Sequence, residues 1–483
     1  MSFKNILGIL GMLIALNGVF MLTAIPFSIY YNEDYTPLLY SSLISIILGF
    51  SVWALARWKN KKELSKKEGY LVVALGWIAM SAFGMLPFLL SDTIPEIYNA
   101  FFETMSGYTT TGASILTDIE SLPKGILFWR SLTQWIGGMG IIVLTIALLP
   151  MLGVGGMQLF IAEAPGISPD KLKPRIADTA KRLWLIYAGL TFLETILLRI
   201  GGMNFFDALN HSLTTMATGG FSTKNDSMAH YDSTPYIQYV VMTFMFLAGV
   251  NFTLTYFGLK GKFKKVWQNE EFKTYLIFIG IFTVVATVGI LVYTDSSFEP
   301  AFRKASFQVI SVITTTGFIS ADYTAWAPIL SIMFFFLMFL GGSAGSTAGG
   351  VKIVRHLVMI KNSFLEMKRI LHPNAILPVR LNNSAVTQSV THHVLAFIIV
   401  YLSIFVFGSI AVAFTGVDVL TTLSAVATSL GNVGPGLGTI GPVDNFAHLP
   451  TLAKWMLSFL MLIGRLELFT ILILFTPYFW RST

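Results

Sequence analysis

The chain has 483 residues, 54% of them hydrophobic and only 12% charged, with a mean hydropathy of +0.70. A soluble domain carries about 25% charged residues, so the composition excludes a string of soluble domains and points to a helical bundle in a bilayer. The absence of cysteine excludes disulfides, cysteine metal sites and thiol catalysis. The net charge of +7 and pI near 9.3 are explained by basic loops beside anionic lipid and require no nucleic acid.

In chain order, ten stretches come close to the ~20 residues that a helix needs to cross ~30 Å of hydrocarbon. They lie near 6–30, 38–56, 70–90, 126–150, 183–200, 236–258, 275–293, 327–357, 394–415 and 452–475. The first lacks a small-residue cleavage site and is read as a retained helix. The eighth is interrupted by "GGSAGSTAGG" at 341–350. Lys and Arg concentrate in "RWKNKKELSKK" (57–67), "KLKPRIADTAKR" (171–182), "KGKFKK" (260–265) and 352–380, each after an even-numbered span. The positive-inside bias therefore places these loops and both termini in the cytoplasm.

The opposite loops carry a motif that returns four times: "TTTGAS" (109–114), "ATGGFS" (217–222), "TTTGFI" (314–319) and "GNVGPG" (431–436). Each follows an apolar segment too short to span: "NAFFETMSGYT" (99–109), "FDALNHSLTTMAT" (206–218), "AFRKASFQVISVITT" (301–315) and "DVLTTLSAVATSL" (418–430). Their helical spacing suggests re-entrant half-helices, which are allowed at membrane depth where they are buried in protein or line water. The spans that follow align on Gly138, Gly249, Gly342 and Gly464. The expected fold is an all-α integral membrane protein of ten transmembrane helices. Four span–half-helix–span repeats stand in pseudo-fourfold arrangement after two extra N-terminal helices. The expected units are 1–68, then repeats at 69–170, 171–265, 266–380 and 381–483.

A pore for a dehydrated cation replaces water with neutral oxygens, usually backbone carbonyls turned toward one axis. Glycine permits the backbone angles this needs, and the C-terminal end of each half-helix adds partial negative charge. The aligned triplets are Thr110-Thr111-Gly112, Thr218-Gly219-Gly220, Thr315-Thr316-Gly317 and Asn432-Val433-Gly434. A single Thr-Gly pair is explained by a helix C-cap; four in register after four half-helices are not. None of the triplets is acidic, which favours a large, easily dehydrated monovalent ion, K⁺ over Na⁺.

The four loops, with "QWIGGMGI" (134–141), "GGSAGSTAGG", "RLELFT" (465–470) and "LFTPYFWR" (474–481), resemble the TrkH family of bacterial potassium-uptake subunits. The superfamily also holds KtrB and the plant HKT transporters. The likeness covers essentially the whole chain, including two N-terminal helices that KtrB-type subunits lack. It implies a pseudo-fourfold pore from one chain and a homodimer in the bacterial cytoplasmic (inner) membrane. It also implies a cytoplasmic ring of nucleotide-binding TrkA-type regulatory subunits, so nucleotide is expected on that partner and no cofactor in this chain. Asn432 and Val433, where the first and third loops have Thr, depart from the repeat and make the pore less than fourfold.

"GSTAGGVK" (345–352) is not a phosphate loop, because Val351 separates the second glycine from the lysine and no strand precedes it. By composition it is a kink between two half-spans; the resemblance implies an intramembrane gate built from Gly341, Gly342, Gly345, Ser346, Gly349 and Gly350. Arg465 lies near the middle of the last span, where a charge is expensive. It reads either as half of an ion pair with another span or as a positive charge beside the pore that touches the gate. Glu467, two residues on, points elsewhere. Glu103, Glu194 and Arg303 read as structural polar contacts, and the seven histidines show no ligand spacing. No catalytic constellation appears at membrane depth, so the chain is not read as an enzyme. The expected function is K⁺ uptake through a carbonyl-lined filter above a loop gate. The alternative is a K⁺/H⁺ or K⁺/Na⁺ symporter working by alternating access. Parallel repeats and an uncharged filter favour the channel, since carriers usually show inverted repeats and buried titratable groups.

Overall fold

The computed structural model describes residues 2–57, 65–148, 176–466 and 468–481. The readings placed on 58–64, 149–175 and Glu467 lie outside the described residues. The main helices are α1 (Phe3–Leu22), α2 (Thr36–Arg57), α3 (Lys66–Gly84), α4 (Ile97–Tyr108), α5 (Lys124–Leu148), α6 (Ile176–Ile200), α7 (Phe205–Met216) and α8 (Pro235–Ala248). They continue with α9 (Phe252–Leu259), α10 (Glu270–Tyr293), α11 (Phe298–Ile313), α12 (Pro328–Leu337), α13 (Ile353–Leu371), α14 (Gln388–Ala413), α15 (Val419–Gly431) and α16 (Thr451–Arg465).

Among the described residues, six helical stretches are long and apolar enough to cross a membrane: Phe3–Tyr30, Thr36–Ala56, Lys67–Leu90, Lys181–Ile200, Glu270–Tyr293 and Gln388–Ala413. Two more pass as bent pairs. Pro235–Ala248 and Phe252–Leu259 meet at 111°, and Thr451–Arg465 meets Phe469–Phe475 at 109°. The stretches 236–258 and 452–475, read from sequence as single spans, are therefore broken. The eighth stretch is broken too: α12 ends at Leu337 and α13 starts at Ile353, on either side of the Gly-rich segment. Between α13 and α14, Arg380–Leu381 pairs antiparallel with Ser384–Ala385 as β1 and β2. Asn382 and Asn383 turn this small hairpin with φ of 48° and 64°, the left-handed pair that a tight hairpin requires. This hairpin is a small exception to the all-α expectation.

Glycine lets α1 and α2 pack backbone to backbone. A methyl group on Gly11 of α1 would lie 2.6 Å from Gly49 O of α2, and one on Gly49 would lie 2.4 Å from Ala15 N. Small residues let apolar helices approach backbone to backbone where no hydrophobic gradient draws them together. Asn17 of α1 donates to Met80 O of α3 at 3.3 Å and accepts from the Tyr108 hydroxyl at 2.6 Å. The N-terminal pair is thus tied to the last residue of α4. A capping box starts α3, with Ser65 and Glu68 each accepting the other's backbone N–H.

The short helices α4, α7, α11 and α15 have 12, 12, 16 and 13 residues. At 1.5 Å per residue they are about 18–24 Å long, less than the ~30 Å of a hydrocarbon core. Asn204 caps α7 and Asp418 caps α15, accepting from Asp207 N at 2.8 Å and Thr421 N at 3.0 Å. Each of the four helices delivers its C-terminus to the same place.

Candidate functional site: four loop triplets and a Gly-rich segment

The four short helices end by one shared mechanism. The N–H of Thr111, Gly219, Thr316 and Val433 reaches back to the carbonyls of Ser106, Thr214, Ser311 and Thr428 at 2.8–2.9 Å. The N–H of Thr110, Thr218, Thr315 and Asn432 bonds inside that turn, to Gly107, Thr215, Val312 and Ser429. This Schellman-type ending needs a left-handed residue, normally Gly or Asn. Here Thr110, Thr218, Thr315 and Asn432 take it, with φ of 52°, 53°, 55° and 54°. A β-branched residue in that region is an outlier, and three threonines hold it. The third residue of each triplet is again left-handed, with φ of 82° at Gly112, 77° at Gly220, 77° at Gly317 and 106° at Gly434.

The triplets touch one another in cyclic order. A methyl group on Gly112 would lie 2.2 Å from Gly219 O, on Gly220 2.0 Å from Thr316 O, on Gly317 2.1 Å from Val433 O, and on Gly434 2.7 Å from Thr111 O. Four loops about a hundred residues apart therefore close one ring of backbone. A cavity of about 180 Å³ opens on it, lined by all four of these glycines together with Arg130 and Lys224. The triplet residues other than the glycines are buried. Asn432 joins the fourth loop to the first: its Nδ2 donates to Thr111 Oγ1 and to Met461 O, each at 2.9 Å. The substitution that breaks the repeat thus supplies a cross-link of its own. Gln134 of α5 holds the second loop, donating to Gly219 O at 2.6 Å and accepting from Phe221 N at 3.0 Å, so one lone pair of the Gly219 carbonyl is already used.

Behind the ring, a polar side chain seven residues before each left-handed threonine braces the chain after the triplet. Glu103 accepts from Ser114 Oγ and Ile115 N at 2.9 Å each, His211 Nε2 meets Ser222 Oγ at 2.9 Å, and Gln308 donates to Ala321 O at 3.2 Å. The fourth loop has Ala425 at that position, and Ser424 takes over by donating to Leu437 O at 2.8 Å. Glu103 is also ion-paired with Arg130 at 2.8 Å, both buried, and Arg130 donates to Ser222 O at 3.1 Å, so the pair ties loop one to loop two. Removing one partner of a buried pair leaves an uncompensated charge, costing about 3–5 kcal/mol. Arg130→Ala should therefore lower the thermal unfolding midpoint sharply, and Glu103→Gln less, as read by tryptophan fluorescence in detergent. Equal midpoints for wild type and Arg130→Ala would contradict the bracing role. Near the cavity mouth, the Asn225 amide donates to Asp118 at 3.1 Å. With Ser121 it holds that carboxyl below its ordinary value, so Asp118 stays anionic there.

The Gly-rich segment lies against the triplets. Its neck closes through Gly341 N to Val351 O at 2.9 Å and Ile353 N to Gly342 O at 3.2 Å. Gly345 and Gly350 are left-handed, with φ of 73° and 63°, and Ser346 Oγ donates to Ser343 O at 2.6 Å. The segment is stitched into the break between α8 and α9: Ser343 N donates to Gly249 O at 2.9 Å, and Phe252 N to Gly345 O at 3.1 Å. Thr347 Oγ1 donates to Met216 O at the end of α7 (3.0 Å) and to Ala248 O at the end of α8 (3.2 Å). Gly349 N donates to Thr315 Oγ1 at 2.6 Å, and a methyl group on Gly349 would lie 2.8 Å from Gly431 O. The segment thus reaches parts of the second, third and fourth loops.

Arg465 is the last residue of α16, not a mid-helix residue, and stands where the chain bends. Its guanidinium donates to Thr347 O at 2.8 Å and to Gly137 O and Gly138 O at 2.9 Å each. Arg465 thus contacts the Gly-rich segment and α5 at Gly137 and Gly138. Arg303, as expected, makes structural contacts, pairing with Glu299 at 2.9 Å and Asp232 at 2.8 Å. Glu194 is fully buried in α6, with the Thr215 hydroxyl beside its carboxyl and no ion pair among the described residues. Histidine spacing gave no ligand set, yet folding brings His230, Asp226 and Glu120 together with ligand atoms within 4.8 Å of one another, all exposed. Arg130, Gln134 and Thr347 were not singled out from sequence. No repeat marks Arg130 or Gln134, since the equivalent positions in the other three spans are apolar.

The chain matches the TrkH protein-family model, described as cation transport protein, over residues 39–482. It is 41% identical to the Trk system potassium uptake protein TrkH of Escherichia coli (strain K12), over 100% of both chains. It is 37% identical to TrkH of Halomonas elongata, again over 100% of both. Against TrkG of E. coli the identity is 33%, over 98% of this chain and 97% of that one. The crystal structure of the potassium transporter TrkH from Vibrio parahaemolyticus superposes with a TM-score of 0.89 at 38% identity, covering 100% of both chains.

Proposed function

Because the chain belongs to the TrkH family of cation transport proteins, we propose that it takes up K⁺ through the ring closed by its four loop triplets. The observation that carries this reading is the cyclic contact of Gly112, Gly220, Gly317 and Gly434 with the next loop's carbonyl. Left-handed residues at the first and third positions turn the backbone of each triplet, and no carboxylate enters the ring. Neutral oxygens at the C-terminal ends of four helices suit a cation that sheds water easily. Ten transmembrane helices, counted as two N-terminal helices and four pseudo-fourfold repeats at 69–170, 171–265, 266–380 and 381–483, complete the reading. The segment 341–350, held by Arg465, is the gate beneath the filter. The chain works as a homodimer in the bacterial inner membrane with both termini cytoplasmic. Nucleotide control arrives through TrkA-type subunits on the α13 side.

A second reading, uptake coupled to H⁺ or Na⁺, has Glu194 in its favour, since a fully buried carboxyl outside any ion pair among the described residues is a place for a proton. Reversal potentials in planar bilayers separate the two. For the channel, the reversal potential follows the K⁺ gradient and ignores pH. A shift with the H⁺ gradient that disappears in Glu194→Gln would establish coupling through that carboxyl instead.

A further inference from the structure

Two adjacent glutamates open α10 and grip different parts of the molecule. Glu271 is buried, and its Oε1 accepts from Ala344 N in the Gly-rich segment at 2.7 Å. The Lys352 ammonium and the Val354 backbone lie beside the same carboxyl, and Lys352 also donates to Ala348 O. Glu271 therefore meets one limb of the segment directly and the other through Lys352. Glu270 is half-buried and pairs with Lys361 of α13. Lys361 donates in turn to Arg380 O in β1 at 2.9 Å, and Glu270 N donates to Asn382 Oδ1 in the hairpin turn at 2.8 Å. Acidic residues in a first helical turn are commonly explained by the helix dipole. That accounts for their sign but not for the burial of Glu271 against a loop some seventy residues away in sequence.

We propose that Glu270 and Glu271 form the coupling element that passes a displacement of α13 and its hairpin to the gate. The proposal rests on the reading of 341–350 as a gate. The path is short: Lys361 and Asn382 hold Glu270 and its backbone, the next residue is Glu271, and Glu271 holds Ala344. On its exposed edge α13 presents Phe364, Met367, Ile370 and Leu371, a surface on which a soluble partner can pull. Glu270 and Glu271 are positioning residues, acting on the ion path only through the loop.

The test uses the full chain in liposomes, with two readouts. The first is K⁺ flux without any partner. The second is the rate at which Ser346→Cys reacts with a membrane-impermeant thiol reagent, a clean probe because the chain has no cysteine. Glu271→Ala should raise both by about tenfold, the effect of losing one charge-assisted hydrogen bond on a two-state equilibrium. Glu270→Ala and Lys361→Ala should raise both less. The Glu270→Ala/Lys361→Ala double variant should match the stronger single one, because the two residues act as one link. If Glu271→Ala is well folded and leaves both readouts at wild-type values, the proposal is wrong. It is equally wrong if Glu271→Ala acts while Glu270→Ala and Lys361→Ala do nothing, since Glu271 is then a local anchor. Deletion of 345–350 separates the two levels. A deletion that raises flux while Glu271→Ala does not refutes the coupling and leaves the gate standing, whereas a deletion without effect refutes the gate and the coupling with it.

Discussion

Serine at Gly220 or Gly317 should cut K⁺ flux by about a hundredfold, the rate equivalent of 2–3 kcal/mol of backbone strain at the ring. The first added atom already meets the neighbouring loop's carbonyl carbon-to-oxygen at 2.0 and 2.1 Å, with φ at 77° in both. Neither loop can retreat, because each is also pressed by the next one round. Gly112→Ser should follow closely at 2.2 Å, and Gly434→Ser should be the mildest at 2.7 Å. Rubidium uptake and K⁺/Na⁺ permeability ratios in liposomes give both the loss and its order. Permeability ratios that stay at the wild-type value in all four variants would remove the ring from the ion path.

The second large effect has the opposite sign. Deleting 345–350, or replacing Arg465 with alanine, should raise partner-free K⁺ flux roughly tenfold or more by destabilising the closed loop. The two variants should differ in selectivity. Arg465→Ala removes bonds to Thr347, Gly137 and Gly138 but leaves Gly349 N on Thr315 Oγ1. The deletion removes that last contact with the left-handed Thr315 of the proposed filter, so it should admit more Na⁺ while Arg465→Ala remains selective. Sequence alone suggests that the proposed gate and filter are independent, since they occupy different depths; the Gly349–Thr315 bond joins the two segments. Unchanged or reduced flux in both variants, each well folded, would make the segment a kink and nothing more.

The register of the four glycines was legible because a fourfold repetition inside one chain acts as its own alignment. The left-handed threonines were not. Thr110, Thr218 and Thr315 belong to a residue type that avoids that region, and only the ring around them holds them there. The breaks at 249–251 and after Arg465 were hidden as well, because uninterrupted hydropathy describes a bent pair as well as a straight helix. Arg130 escaped notice for a different reason. Its partner Glu103 lies on another helix, and single-sequence spacing carries no tertiary distance. The Asn432 departure was visible, but what it does was not, since its amide reaches Thr111 across more than three hundred residues of sequence.

The break between α8 and α9 and the Gly-rich segment complete each other's hydrogen bonding through Gly249 O and Phe252 N. In a medium without water, each such group left bare costs several kcal/mol. The loop therefore cannot leave a dry cavity: withdrawing it strips three backbone groups of the broken span, Ala248 O among them, along with its own. Water must arrive as the loop departs, and once there it occupies the same donors and acceptors and holds the loop out. On the reading of 341–350 as a gate, permeation and hydration then begin in one event, and the closed state is a dehydrated one as much as a blocked one. Conditions that lower water activity, such as high concentrations of an excluded osmolyte, should lengthen its dwell time even when the ion gradient is unchanged.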